Sequence, residues 1–132
     1  MTTHDKLTRN QALVLATLEK AGQPQSAYTI LDQLRDEGLR APLQVYRALD
    51  KLLQIGLVHR LESINSFVAC SHPHAHGHGS AAFAICERCG RVDEFSDQTV
   101  QARLADWSSE HGFRPSRTTV EIRGECAACA AT

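Results

Sequence analysis

Apolar positions recur at three- and four-residue steps through the opening of the chain and then change to alternation, so helices are predicted first and strands after them. Thr8 can cap a helix running to about Ala21, in which Leu13, Val14 and Leu18 form the apolar stripe and Gly22 with Pro24 stops it. Ser26 caps a second helix with Ala27, Ile30, Leu31 and Leu34 on one side, Asp32, Gln33, Arg35 and Asp36 on the other, and Gly38 at its end. Pro42 suits the first position of a third helix, whose stripe is Val45, Leu49, Leu52 and Leu53 and whose stop is Gly56.

From Leu57 the period shortens. LVHRLES and SFVAC, separated by Ile64-Asn65, read as a hairpin, and helix, helix, helix, hairpin is the order of a winged helix-turn-helix. SHPHAHGHGS then offers proline, glycines and alternating histidines with no aliphatic residue except alanine, which predicts a linker. Beyond it, AFAIC and RVDEF predict strands on either side of a Cys86–Cys89 turn, and Asp97 caps a helix with Val100, Leu104 and Trp107 on one face, ending near Gly112. TTVEIRGEC alternates as a further strand and delivers Cys126 and Cys129. The expected class is α+β: a winged helix-turn-helix over residues 1–70, a hinge over 71–80 and a small α/β unit over 81–132. A unit of that size is short of core, so help from a metal or a partner subunit is expected.

Composition narrows the function only in part. At 132 residues the chain can bury an ordinary core, but a large enzyme cleft is not favoured. The net charge of -1 does not announce a nucleic-acid binder, and neither half does: 8 Lys+Arg stand against 7 Asp+Glu up to Cys70, and 6 against 8 after it. DNA binding must therefore be argued from local geometry. No apolar run approaches the ~20 residues that cross a bilayer, and MTTHDKLTRN lacks an apolar signal core, so a cytoplasmic protein with no membrane partner is expected.

Candidate chemistry is concentrated between Cys70 and Glu94, where cysteine, histidine and carboxylate together make the ligand set of zinc and its neighbours. Cys86, Cys89, Cys126 and Cys129 form two CxxC pairs, which suit a closed tetrahedral structural zinc site. A redox CxxC is the competing reading; it requires one pair at a helix start in a thioredoxin-like unit, and two pairs agree better with a metal. The other potential ligands are His59, Cys70, His72, His74, His76, His78, Glu94 and His111. His59 and Cys70 belong to the hairpin, His78 to the linker and Glu94 to the second unit, so a metal held by all of them would let occupancy control a function carried elsewhere. The plainer alternative is a solvated histidine loop with incidental metal affinity, with Cys70 a small buried hydrophobe. For His4 and His111 that plainer reading is preferred, and a further weak site on His72, His74 and His76 stays open.

On the third helix Gln44, Tyr46, Arg47, Asp50 and Lys51 face away from the apolar stripe. Arg47 can pair with guanine or phosphate, Tyr46 can touch a thymine methyl or a phosphate, and amides near Pro42 and Leu43 can meet a phosphate. Charge alone would make this an ordinary polar face.

VYRALDKLLQIGLVHRLESINSFVAC, preceded by RNQALVLATLEKAGQPQSAYTILDQL and followed by FAICERCGRVDEF and EIRGECAAC, resembles the ferric uptake regulator family over nearly the whole chain, most closely its zinc-sensing members. The resemblance implies a homodimeric, metal-dependent transcriptional repressor of zinc-uptake genes, with a winged helix on palindromic double-stranded operator DNA and a C-terminal dimerisation domain. It further implies two zinc ions per subunit. One is structural, on Cys86, Cys89, Cys126 and Cys129; the other is regulatory, on His59, Cys70, His78 and Glu94, with His76 as the alternative linker ligand. Tyr46, Arg47, Gln44 and Lys51 are the implied DNA contacts.

The departures from the family pattern also inform. Iron-sensing members place histidines before the first CxxC, where this chain has SAAFAI, and another in the last strand region, where it has SRTTVEIRG. With Cys70 available, the missing nitrogen donors favour zinc over iron or manganese. Gln44 stands where many relatives have a hydroxyl residue before VYR. An iron- or manganese-responsive regulator of the same family is the nearest alternative. From other classes come a small zinc enzyme using Glu94 as general base, and a zinc store using the histidine loop. HExxH, HxE with PCxxC and a nucleophile elbow are all missing from the sequence, so no enzyme and no small-molecule substrate are expected.

Overall fold

A computed structural model of the protein describes residues 7–70 and 80–131. The chain divides into two compact units, Met1–Ser71 and His72–Thr132.

Local capping sets out the helices of the first unit. Helix α1 (Arg9–Ala21) begins in a reciprocal box: Gln11 N–H donates to Thr8 Oγ1 at 3.2 Å and Thr8 N–H donates to Gln11 Oε1 at 3.0 Å. It ends at Gly22, whose φ of 65° is the left-handed conformation that favours glycine. Helix α2 (Ala27–Leu34) starts where Thr29 N–H donates to Ser26 Oγ at 3.1 Å. The sequence pattern extends this helix to Gly38, whereas the structure stops it at Leu34 and inserts a 3-10 turn over Arg35–Glu37. Gly38, at φ 102°, then turns the chain so that Leu39 N–H reaches back to Leu34 O at 3.2 Å and the Leu39 side chain is fully buried. Helix α3 (Pro42–Gln54) opens on proline, as its missing N–H allows.

Val14, Leu18, Ile30, Leu31, Leu49 and Leu52 are the centre of one continuous core, each at most 2% exposed. At about 1.5–3 kcal/mol per buried aliphatic side chain, that core is what holds three short helices together. Strands β1 (Val58–Leu61) and β2 (Ser66–Ala69) form the expected antiparallel hairpin, with His59 opposite Val68 and Arg60 opposite Phe67. A 3-10 turn over Glu62–Ile64 and Asn65 at φ 48° close it. Gln25, just ahead of α2, exchanges both backbone hydrogen bonds with Phe67, at 2.9 and 2.8 Å. It acts as a one-residue third strand fastening the wing to the helices. Three helices followed by this hairpin make a winged helix-turn-helix.

The second unit is a three-stranded sheet in the order β4-β3-β5. β3 (Ser80–Cys86) pairs antiparallel with β4 (Val92–Phe95) and parallel with β5 (Thr118–Gly124). Parallel partners need a long connection, and β4 with helix α4 (Gln98–Glu110) provides it. Asp97 caps α4 as expected, accepting from Val100 N–H at 3.1 Å. A short helix, α5 (Ala127–Ala130), follows β5 and is not anticipated by the sequence pattern.

Burial in this unit is sparse. Among the described residues its buried side chains are Ala81, Ala82, Phe83, Ile85 and Cys86, all on β3. The apolar face of α4 does not join them: Val100, Leu104 and Trp107 are 40%, 41% and 53% exposed, alongside Phe113 at 59% and Ile122 at 55%. No helix among the described residues is long and apolar enough to cross a membrane.

Candidate metal centres and nucleic-acid interface

β3 ends on Cys86 and turns tightly, with Gly90 N–H bonded to Cys86 O at 3.0 Å and Cys86 N–H to Arg91 O at 2.8 Å, which puts Cys89 beside its partner. The second pair is presented differently from the first. Cys126 is the N-cap of α5 and Cys129 lies within that helix, so a helical turn, not a strand-end turn, sets their spacing. The two pairs converge because β5 runs beside β3 and Glu87 N–H bonds Gly124 O at 2.7 Å. All four Sγ atoms lie within 4.8 Å of one another.

A tetrahedron with zinc–sulfur bonds of about 2.3 Å has edges of about 3.8 Å. Cys89 and Cys126 Sγ are 3.8 Å apart, which matches such an edge and is far from the ~2.05 Å of a disulfide. Electrostatics call for a cation at the same place. Backbone N–H groups of Cys89 and Cys126 point at Cys86 Sγ at 3.5 and 3.3 Å and lower that thiol's pKa to about 6. Cys126 is lowered too, first by the Cys129 N–H. Cys129 is pushed up to about 12, because its thiol shares its proton with the Cys126 and Cys86 sulfurs around it. Four thiolates cannot coexist there without a cation, and a divalent ion supplies the missing charge. Arg88 spans the two pairs, donating from Nη1 to Glu125 Oε2 at 3.2 Å and to Cys129 O at 3.1 Å.

These shifts have a sign that can be measured. Metal displaces thiol protons, so affinity falls with acid. Release of the ion between about pH 7 and pH 5 is expected, read with a chromophoric chelator competing for it. Affinity that does not fall with acid would contradict ligation by thiolates.

The second donor group begins on the wing. His59, on β1, and Cys70, which follows β2 and is held by its N–H on Leu57 O at 2.8 Å, bring a ring nitrogen and a sulfur within 4.8 Å of each other. Both are partly buried. Glu94 lies on β4 opposite Phe83 of β3. His72, His74, His76 and His78 fall outside the described residues, as does His4. His111 is occupied at the end of α4, its Nδ1 2.8 Å from Trp107 O and its ring stacked on Trp107 at 4.3 Å.

On α3, Val45, Ala48, Leu49 and Leu52 are buried, while Gln44, Tyr46, Arg47, Asp50 and Lys51 are all exposed. Gln44, Arg47 and Lys51 fall on one stripe by their i, i+3, i+7 spacing. At the start of the helix Pro42 has no N–H and Gln44 N–H is bonded to Ala41 O at 3.0 Å, so of the amides named from the sequence only that of Leu43 can meet a phosphate. Tyr28, in the first turn of α2, is 63% exposed and lies off the buried stripe of Ala27, Ile30, Leu31 and Leu34.

The sequence profile of the ferric uptake regulator family matches residues 3–123. The zinc uptake regulation protein of Escherichia coli (strain K12) is 40% identical over 125 residues, which are 94% of this chain and 72% of that protein. The zinc uptake regulation protein of Mycobacterium tuberculosis (strain ATCC 25618 / H37Rv) is 32% identical over 126 residues, 92% of either chain. The crystal structure of holo XcZur superposes with a TM-score of 0.86 at 45% identity, covering 96% of this chain and 87% of that one. A zinc uptake regulator complexed with zinc and DNA superposes with a TM-score of 0.86 at 34% identity, covering 99% and 97%. The chain belongs to the ferric uptake regulator family.

Proposed function

We propose that the protein is a zinc-responsive transcriptional repressor that binds palindromic operator DNA as a zinc-loaded homodimer and controls zinc-uptake genes. The observation that carries this reading is a cysteine sulfur and an imidazole together on the wing of a DNA-binding fold: Cys70 and His59, within 4.8 Å of each other. Similarity to regulators named for zinc uptake, one of them solved with zinc and DNA, supports it.

Residues 1–70 would bind DNA, 71–80 would serve as hinge and 81–132 would dimerise and hold metal. Each subunit would carry two zinc ions. Cys86, Cys89, Cys126 and Cys129 hold the structural one; His59, Cys70, Glu94 and a linker histidine, His78 or His76, hold the regulatory one. Bound zinc supplies a cross-link at the second site. His59 and Cys70 would hold the wing's end of it and the hinge histidine and Glu94 the other end, which would narrow the orientations open to the winged helices to one that matches the operator. By linkage, DNA raises zinc affinity by the same factor as zinc raises DNA affinity. Nothing in this scheme requires catalysis, and the place of action is the cytoplasm, where operator DNA lies.

Zinc titration with the structural site kept filled, read as anisotropy of a labelled palindromic promoter fragment, tests the reading. Equal DNA binding by chelator-treated and zinc-loaded protein would sink it. Arg47→Ala is expected to lower operator affinity at least tenfold at saturating zinc while leaving the zinc midpoint of folding unchanged, because it removes an exposed cation from the recognition helix. An unaltered affinity would take Arg47 out of the interface.

The homodimer draws on the uncovered apolar face of α4, Val100, Leu104 and Trp107, with Phe113 beside Trp107. Trp107→Glu would put a charge into that face and is expected to turn a dimer into a monomer in sedimentation velocity. A variant that still sediments as a dimer would place the interface elsewhere.

A further inference from the structure

We infer that Gln44 meets DNA as a hydrogen-bond donor only, through Nε2, and so contacts an acceptor of the duplex while being unable to read adenine in the two-bond manner open to glutamine. This rests on the DNA-binding reading above and adds to it what one residue of the recognition helix can recognise.

Helix α3 starts without an ordinary cap. Its N-cap is Ala41, which has no polar side chain, and its first residue is Pro42. Gln44, three positions past the N-cap, fills the deficit: its Oε1 accepts from Arg40 N–H at 2.8 Å and from Ala41 N–H at 3.2 Å. An amide oxygen has two lone pairs, and both are engaged. The partners also settle which end of the amide is which. Two backbone donors can face only the oxygen, so Nε2 cannot occupy that place.

What remains of this exposed side chain is Nε2 with its two N–H groups, on the stripe shared with Arg47 and Lys51. Glutamine reads adenine by accepting from N6 while donating to N7. Here the accepting half is already committed to the helix start. The donating half suits a phosphate oxygen, guanine O6 or N7, or thymine O4, all of which are acceptors.

The experiment pairs protein variants with acceptor-deleted DNA, using the full zinc-loaded protein and the anisotropy assay. Gln44→Glu keeps the capping oxygen and loses the donor; Gln44→Met loses both without adding charge. The DNA panel carries, one position at a time, 7-deazaguanine, 2-aminopurine in place of guanine to delete O6, a methylphosphonate, a thymine lacking the O4 acceptor, or purine in place of adenine. At one position, deleting the acceptor is expected to cost the wild type about fivefold more than it costs Gln44→Met, the worth of one neutral hydrogen bond; a methylphosphonate also removes a charge, so the comparison there is with Gln44→Met alone. A methylphosphonate giving this pattern identifies phosphate as the source; 7-deazaguanine, 2-aminopurine or the altered thymine identifies a base. A merely structural role of Gln44 would weaken binding to every DNA alike and give no such position, which would overturn the inference. So would a position where loss of adenine's N6 amino group costs the wild type but not Gln44→Met, which has no acceptor to lose. Wild-type protein that binds operator without regard to zinc would instead remove the proposed function, and this inference with it.

Discussion

Replacing Cys126 with serine is expected to release the structural ion and unfold the C-terminal unit while the helical signal of α1–α3 persists. Serine is nearly isosteric and is a better N-cap than cysteine, so α5, which Cys126 caps, loses nothing from the change in capping. What it loses is a thiolate, and a hydroxyl does not replace a thiolate on zinc. The consequence is large because the unit has few other means of support. Its described buried side chains all lie on β3, and α4 buries none. The segment after β5 is tied back to β3 chiefly around Cys86, where Cys126 N–H donates to Cys86 Sγ at 3.3 Å, forty positions away in sequence. An ion on four sulfurs closes that long loop and neutralises the thiolates, so that its binding free energy becomes folding free energy. Zinc content after gel filtration and a circular-dichroism melt check the outcome together. Wild-type zinc content with an unshifted melt would show that Cys126 is not a ligand.

The elements with local causes were legible in the sequence. Thr8, Ser26 and Asp97 each cap the helix they were expected to cap, Pro42 opens α3, and the Cys86–Cys89 turn lies between the two strands predicted to flank it. Features that depend on residues distant in sequence were not. Periodicity identifies TTVEIRGEC as a strand but cannot say that it lies parallel to β3, because the partner is chosen by the crossover through α4. The Gln25–Phe67 pairing is equally silent, since one residue has no period. Gln44 shows the same limit at a candidate contact. The outward face of the helix shows Gln44 as a candidate DNA contact, but the unfilled cap beside it claims half of its hydrogen-bonding capacity.

The metal ligands divide along the same line. Two CxxC pairs announce a four-sulfur site by spacing alone, although the helical presentation of the second pair is visible only in three dimensions. For His59 and Cys70 spacing says nothing. Their proximity follows from the hairpin register, in which His59 faces Val68 and Cys70 continues from Ala69, the partner of Val58.

That pair supports the second large effect. His59→Ala and Cys70→Ser are each expected to abolish the response of DNA binding to zinc, leaving operator affinity at saturating zinc equal to that of protein lacking regulatory zinc. With a coupling of about 1–3 kcal/mol, the loss is roughly 5- to 150-fold. Neither change should disturb the fold. The wing is held by the β1–β2 ladder, by Gln25 on Phe67 and by Cys70 N–H on Leu57 O, all of them backbone bonds that survive side-chain replacement. The four-sulfur site uses neither residue and should remain filled. The competing roles predict other patterns. If Cys70 were only a small buried hydrophobe, serine would lower the melting temperature and leave zinc response intact. In a zinc store built on the histidine loop, both variants would keep their bound metal, and neither they nor the wild type would show zinc-dependent DNA binding. Measuring zinc stoichiometry, melting temperature and anisotropy on the same two variants therefore separates switch, core residue and store, and a variant that retains wild-type zinc response removes its residue from the switch.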